Sequence, residues 1–75
     1  MTTTRNVLLS KQPVELYKVL KFEGLCASGG EAKAAVDAGL VKVNGVVETQ
    51  KRKKIHAGDK ITFANETLLL TLSAD

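Results

Sequence analysis

The sequence predicts an α+β domain: two packed helices against a small, mostly antiparallel sheet of four to five short strands. Three observations carry that expectation. Apolar residues recur at helical spacing in two early segments, and a glycine closes each, at Gly24 and Gly39. Asn44-Gly45 follows, the strongest short signal for a hairpin. Beyond it apolar and polar residues alternate, as they do along a half-buried strand.

The elements follow in order. Val7, Leu8 and Leu9 form a short apolar run that reads as a strand. Pro13 suits the first turn of a helix, where a missing N–H costs nothing. Leu16, Val19 and Leu20 then share one helical face, with Glu15 and Lys18 on the other side. Glu23 falls on the apolar stripe, so the helix is expected to end there, and Gly24 supports the stop. Tyr17 and Phe22 are expected to pack. The second helix is better marked. Ser28 and Glu31 have capping-box spacing: the hydroxyl accepts from a first-turn N–H and the carboxylate reaches back to the Ser28 N–H. Ala32, Ala35 and Val36 give this helix a face of mostly small residues that permits close packing. Gly39 reads as a left-handed C-cap.

The pattern then turns to strand. Val41 and Val43 flank Lys42. A two-residue turn at Asn44-Gly45 pairs Lys42 with Val47 and Val41 with Glu48. That mixes the faces, so a bulge or a very short hairpin is expected. Ile55 resumes apolar character, and Gly58-Asp59 and Asn65-Glu66 mark turns. Ile61 and Phe63 alternate with Lys60 and Thr62, and Leu68, Leu70 and Leu72 should line one face of a last strand. The layout reads strand, helix, helix, and three or four more strands.

With 75 residues the chain is expected to form a single domain, 1–75. A domain near this size buries only roughly 60% of its unfolded surface, which leaves little room for an internal active-site cavity. The formal net charge is +3. Its distribution matters more. Arg5, Lys11, Lys18, Lys21, Lys33 and Lys42 are nearly cancelled by Glu15, Glu23, Glu31, Asp37 and Glu48. The excess lies in four consecutive cations, Lys51, Arg52, Lys53 and Lys54. Cys26 has no second cysteine to pair with, which fits a reducing compartment. No apolar run approaches the roughly 18 residues of a membrane span, and the first ten residues lack the apolar core of a signal peptide. A cytoplasmic protein is expected. Cys26 and His56 stand thirty residues apart, which does not suggest a metal site. No acid, base and nucleophile converge, so neither an enzyme nor a cofactor is expected.

Residues 24–61, GLCASGGEAKAAVDAGLVKVNGVVETQKRKKIHAGDKI, carry an ordered set of features. These are a Gly-Leu helix end, a Ser cap, an Ala-containing helix, a Gly, Val-x-Val-Asn-Gly, and Gly-Asp before a strand. The set resembles the RNA-binding domain first described in the small-subunit ribosomal protein numbered four, also called the alpha-L motif. SGGEAK and VETQKRKKI are most similar to its small standalone bacterial members, of the YbcJ type. The resemblance implies binding of RNA, structured or ribosomal. Many members place an Arg directly after the capping Ser, where it contacts RNA; here the residue is Gly29.

The candidate RNA-binding residues are Ser28, Gly29, Gly30, Lys33, Lys42, Asn44, Lys51, Arg52, Lys53 and Lys54. The four-cation run offers phosphate contacts, each releasing a condensed counterion. Its bland alternative is a solvated loop. The amino end of the second helix offers free N–H groups to a phosphate, and two glycines admit close approach. Lys33 supplements them, or pairs with Asp37. Lys42 should point away from the core, and Asn44 is mainly a turn residue. The resemblance implies that this hairpin borders the RNA surface. Aromatics are few and not spaced as stacking platforms, which suits structured RNA better than splayed bases. Two other classes of function would leave different marks. A protein-interaction adaptor would present the basic loop to an acidic partner. A sulfur or acyl carrier would end in Gly-Gly, whereas this chain ends Leu72-Ser73-Ala74-Asp75. A monomer without membrane or small-molecule ligands is expected.

Overall fold

A computed structural model describes residues 3–10 and 13–72. Lys11 and the terminal Ser73, Ala74 and Asp75 lie outside them. The elements run β1 (Thr3–Leu9), β2 (Val14–Glu15), α1 (Leu16–Phe22), α2 (Gly29–Asp37), β3 (Val41–Val43), β4 (Val46–Val47), β5 (Lys54–Ile55), β6 (Lys60–Phe63) and β7 (Glu66–Leu72). Five strands form one sheet in the order β1-β7-β6-β3-β4, and β2 and β5 form a separate two-stranded ladder. All pairings are antiparallel except β1 with β7. The expected fold class therefore holds.

The helices begin and end by local rules. Ser28 Oγ accepts from the Glu31 N–H at 3.2 Å, and Glu31 reaches back to the Ala27 N–H rather than to that of Ser28. At the far end Gly39 adopts φ +76°. That conformation lets the Gly39 N–H meet the Val36 carbonyl and the Leu40 N–H meet the Ala35 carbonyl. Helix α1 closes the same way around Gly24, with bonds to Lys21 and Leu20.

The core lies between the helices and one sheet face. Leu16, Val19 and Leu20 from α1 meet Ala32, Ala35 and Val36 from α2 over Val41, Val43, Ile61, Leu68 and Leu70. Ile55 is fully buried beside them, and Cys26 is a small buried apolar residue. Burial and, after it, the Glu31 carboxylate push the Cys26 thiol up, away from the reactive thiolate.

Several expectations need correction. Pro13 does not open a helix. Val14 and Glu15 pair with Ile55 and Lys54, and α1 starts only after that ladder. Strand β1 begins at Thr3, not Val7, because its ladder with β7 already pairs Thr3 with Glu66; the Arg5 side chain is held by Glu66 and lies 4.0 Å from Glu23. The last turn falls on Ala64 and Asn65, one residue early. Leu72, at the strand end, is half exposed. Phe22 is 69% exposed. It stands about 110° round the helix from the stripe of Leu16, Val19 and Leu20, so packing that stripe turns Phe22 outward. The hairpin needs no bulge: β4 is only two residues long, which is the short alternative.

Candidate nucleic-acid interface

The amino end of α1 lacks a side-chain cap. Its first-turn N–H groups need acceptors, and the basic loop supplies them. Leu16 N–H donates to the Lys53 carbonyl at 2.9 Å, and Tyr17 N–H donates to the Lys51 carbonyl at 3.1 Å. The β2–β5 ladder fixes the next residue, Lys54, opposite Glu15. Residues 51–54 are thus pinned by their backbone, and their side chains are left to other work.

Tyr17 joins this loop to α2. Its ring lies against Gly29: a Cβ added there would sit 3.8 Å from it. Lys33 Nζ stands 4.7 Å from the ring centroid, a cation–π contact. Lys51 Nζ reaches across to Asp37 Oδ2 at 2.8 Å, binding the loop to the carboxyl end of α2. The structure therefore brings Gly29 and Lys33 of α2 and the Lys51 end of the basic loop to one tyrosine, whereas Arg52 and Lys54 stand beside Glu15. Sequence reasoning assigned Tyr17 only to packing. Its linking role depends on contacts that no local pattern announces.

The electrostatics are uneven. Lys51 is neutralised by Asp37, and Arg52 Nε lies 3.8 Å from Glu15, which also holds Lys18 at 3.2 Å. Among the described residues, Lys33, Lys53 and Lys54 form no ion pair. The Gly29 and Gly30 N–H groups meet no acceptor among the described residues, and the helix dipole adds partial positive charge there. The face combines fixed cations with free amides, which is the chemistry of phosphate binding.

Lys42 and Asn44 are not gathered into this face. Val41 and Val43 are buried toward the helices, so Lys42 projects from the opposite side of the sheet. Asn44 has φ +54° and Gly45 +85°, the paired left-handed conformations of a tight hairpin. Both polar ends of the Asn44 side chain are engaged. Its Nδ2 donates to Asp59 Oδ1 at 3.1 Å, and its Oδ1 accepts from the Lys60 N–H at 2.9 Å. Asp59 Oδ2 also accepts from the His56 N–H at 2.8 Å. Burial raises the Asp59 pKa. The bonds from His56 and Asn44, with the charges of His56 and Lys53, outweigh that and hold it below the usual carboxylate range.

Residues 7–71 match the model of the S4 domain. The chain belongs to the S4 domain family. Two relatives of this S4 domain, both called YbcJ, come from Escherichia coli strain K12 and Shigella flexneri. Each is 51% identical over 61 residues, spanning 80% of this chain and 87% of its own. The tyrosine–tRNA ligase of Ralstonia nicotianae is 40% identical over 50 residues, 67% of this chain but 13% of the ligase. The solution structure of Escherichia coli YbcJ aligns with a TM-score of 0.71 and 44% identity. That longer alignment spans 95% of this S4 domain and 91% of YbcJ. The YbcJ structure is described as containing an alfaL motif involved in RNA binding. No three metal-ligating side chains converge among the described residues of this S4 domain, and no described helix is long and apolar enough to cross a membrane.

Proposed function

We propose that this chain binds structured RNA, including ribosomal RNA, through the helical face and without catalysing a reaction. One observation carries the reading: the free amides at the start of α2 and the pinned cationic loop adjoin across Tyr17. Phosphates contacted there release counterions, so affinity falls steeply with salt. The S4 domain membership and the RNA-binding role stated for YbcJ's motif support the same reading. Ser28, Gly29, Gly30, Lys33, Lys53 and Lys54 are the proposed primary contacts. Lys51 and Arg52 contribute on exchanging Asp37 and Glu15 for phosphate. Lys42 and Asn44 are secondary to the interface. Action as a monomer in the cytoplasm belongs to the same proposal, and a single buried thiol agrees with a reducing compartment.

The test is a salt titration of binding to a structured ribosomal RNA fragment. Changing Lys51, Arg52, Lys53 and Lys54 together to Gln should flatten the log–log slope by about three units, at about 0.7–0.9 per contact. The loop carbonyls that cap α1 are backbone, so the variant is expected to stay folded. An unchanged slope in a folded variant rejects the loop as the phosphate site.

A further inference from the structure

A cation that has to meet a phosphate can be held still in two ways. A carboxylate fixes it by neutralising it, so the phosphate must first displace the acid. An aromatic ring fixes it through its quadrupole and leaves the charge unopposed. The helical face contains both arrangements. Lys51 and Arg52 face Asp37 and Glu15. Lys33 faces a ring. Its Nζ stands 4.7 Å from the Tyr17 centroid, and it forms no ion pair among the described residues.

The packing enforces this choice of partner. Lys33 is half-buried on α2, with Glu31 and Asp37 nearby on the same helix. Both carboxylates are engaged elsewhere. Glu31 accepts from the Ala27 N–H at 3.2 Å, and Asp37 accepts from Lys51 Nζ at 2.8 Å. The ring is anchored in turn. The Tyr17 N–H donates to the Lys51 carbonyl at 3.1 Å, and the ring lies against Gly29, which has no side chain to hold it off. Gly29 and Lys33 are four residues apart and share one face of the helix. Lys18 also stands near the ring, at 6.0 Å from its centroid, but Glu15 neutralises it at 3.2 Å.

Resting on the RNA-binding reading above, we infer that Tyr17 is the positioning residue of that site. Its ring holds the un-neutralised Lys33 ammonium beside the start of α2, where one phosphate of the RNA meets the ammonium and the free amides together. A lysine that is not held loses several rotatable bonds' worth of freedom when it binds. Here that ordering is completed during folding. The role belongs to the face of the ring and not to the phenol hydroxyl, so a phenyl ring serves as well.

The experiment is a double-mutant cycle on binding to the structured ribosomal RNA fragment. Lys33→Gln should weaken binding about fivefold, the value of one phosphate contact. Tyr17→Leu should weaken it about three- to fivefold, within the cost of ordering one long side chain. Combining the two should be no weaker than Lys33→Gln alone, because Tyr17 acts through Lys33. Tyr17→Phe should recover the loss. In the free wild-type chain the ring current should move the Lys33 ε-methylene protons upfield of those of the other lysines. Tyr17→Leu should return them to the ordinary position. A Tyr17→Leu chain that does not fold leaves the decision to the wild-type Lys33 shift and to Tyr17→Phe. Losses that multiply in the double variant, a Tyr17→Phe chain as weak as Tyr17→Leu, or Lys33 protons at the ordinary position overturn the positioning role while the RNA reading stands. Failure of the wild-type chain to bind any structured RNA overturns both.

Discussion

In the loop at 51–54 the backbone is spent on capping α1, and the Lys53 and Lys54 side chains remain available. In the hairpin at Asn44-Gly45 the side chain is spent on Asp59 and Lys60 and little is left to offer a ligand. Both segments combine cations with turn chemistry. The difference teaches that a polar residue serves recognition only where its hydrogen-bonding capacity is not already committed to the fold. A second difference lies within the loop. Lys51 and Arg52 face carboxylates, whereas Lys53 and Lys54 form no ion pair among the described residues.

The largest effect should separate those two halves. Lys53→Gln with Lys54→Gln should weaken RNA binding about 30-fold at physiological salt, from about fivefold per phosphate contact. Lys51→Gln with Arg52→Gln should cost no more than about fivefold, because binding already has to displace Asp37 and Glu15. Filter binding of the two double variants checks this, and equal losses would remove the distinction.

Gly29 provides the converse test. A Cβ there makes only ordinary van der Waals contact with the Tyr17 ring, so a side chain can start from this position without a clash. Gly29→Arg should raise affinity about fivefold and steepen the salt slope by about one unit. Asp37→Asn should act in the same direction but more weakly, about threefold, by freeing Lys51 from its partner.

The hairpin should answer in stability instead. Asn44→Ala removes two side-chain bonds and should cost about 1 kcal/mol in chemical denaturation, with no change in the RNA salt slope. Asp59 adds a pH signature. Its pKa is depressed in the folded chain, so its contribution is fully present above the unfolded carboxylate value, near 3.9. It is lost as pH falls through the lower folded value. Asn44→Ala should shrink that acid-side loss, measured as thermal midpoint against pH. The smallest effect is expected from Lys42→Gln, within about twofold on RNA binding, since Lys42 projects from the far side of the sheet.

Much of the fold was legible because it follows short-range rules. The Ser28–Glu31 box, the left-handed Gly24 and Gly39, and the Asn44-Gly45 turn each depend on neighbours within a few residues. What escaped depends on distant partners. The β2–β5 ladder joins residues about forty apart, so Pro13 read as a helix start. Asp59 read as a turn residue because its bond to Asn44 spans 15 positions. Phe22 read as core because apolar character alone does not say which face the packing will choose. Of the candidate site, the loop and the start of α2 were found by charge and capping pattern. Tyr17, which joins them, had no local signature.

The most direct test is an amide NMR titration of the folded chain with a structured RNA. The account predicts that Gly29, Gly30, Lys33 and residues 51–54 shift together and saturate at one concentration. Lys42, Asn44 and the outward residues of β6 and β7 should stay in place. Shifts centred on that sheet face, with the start of α2 unmoved, would contradict it.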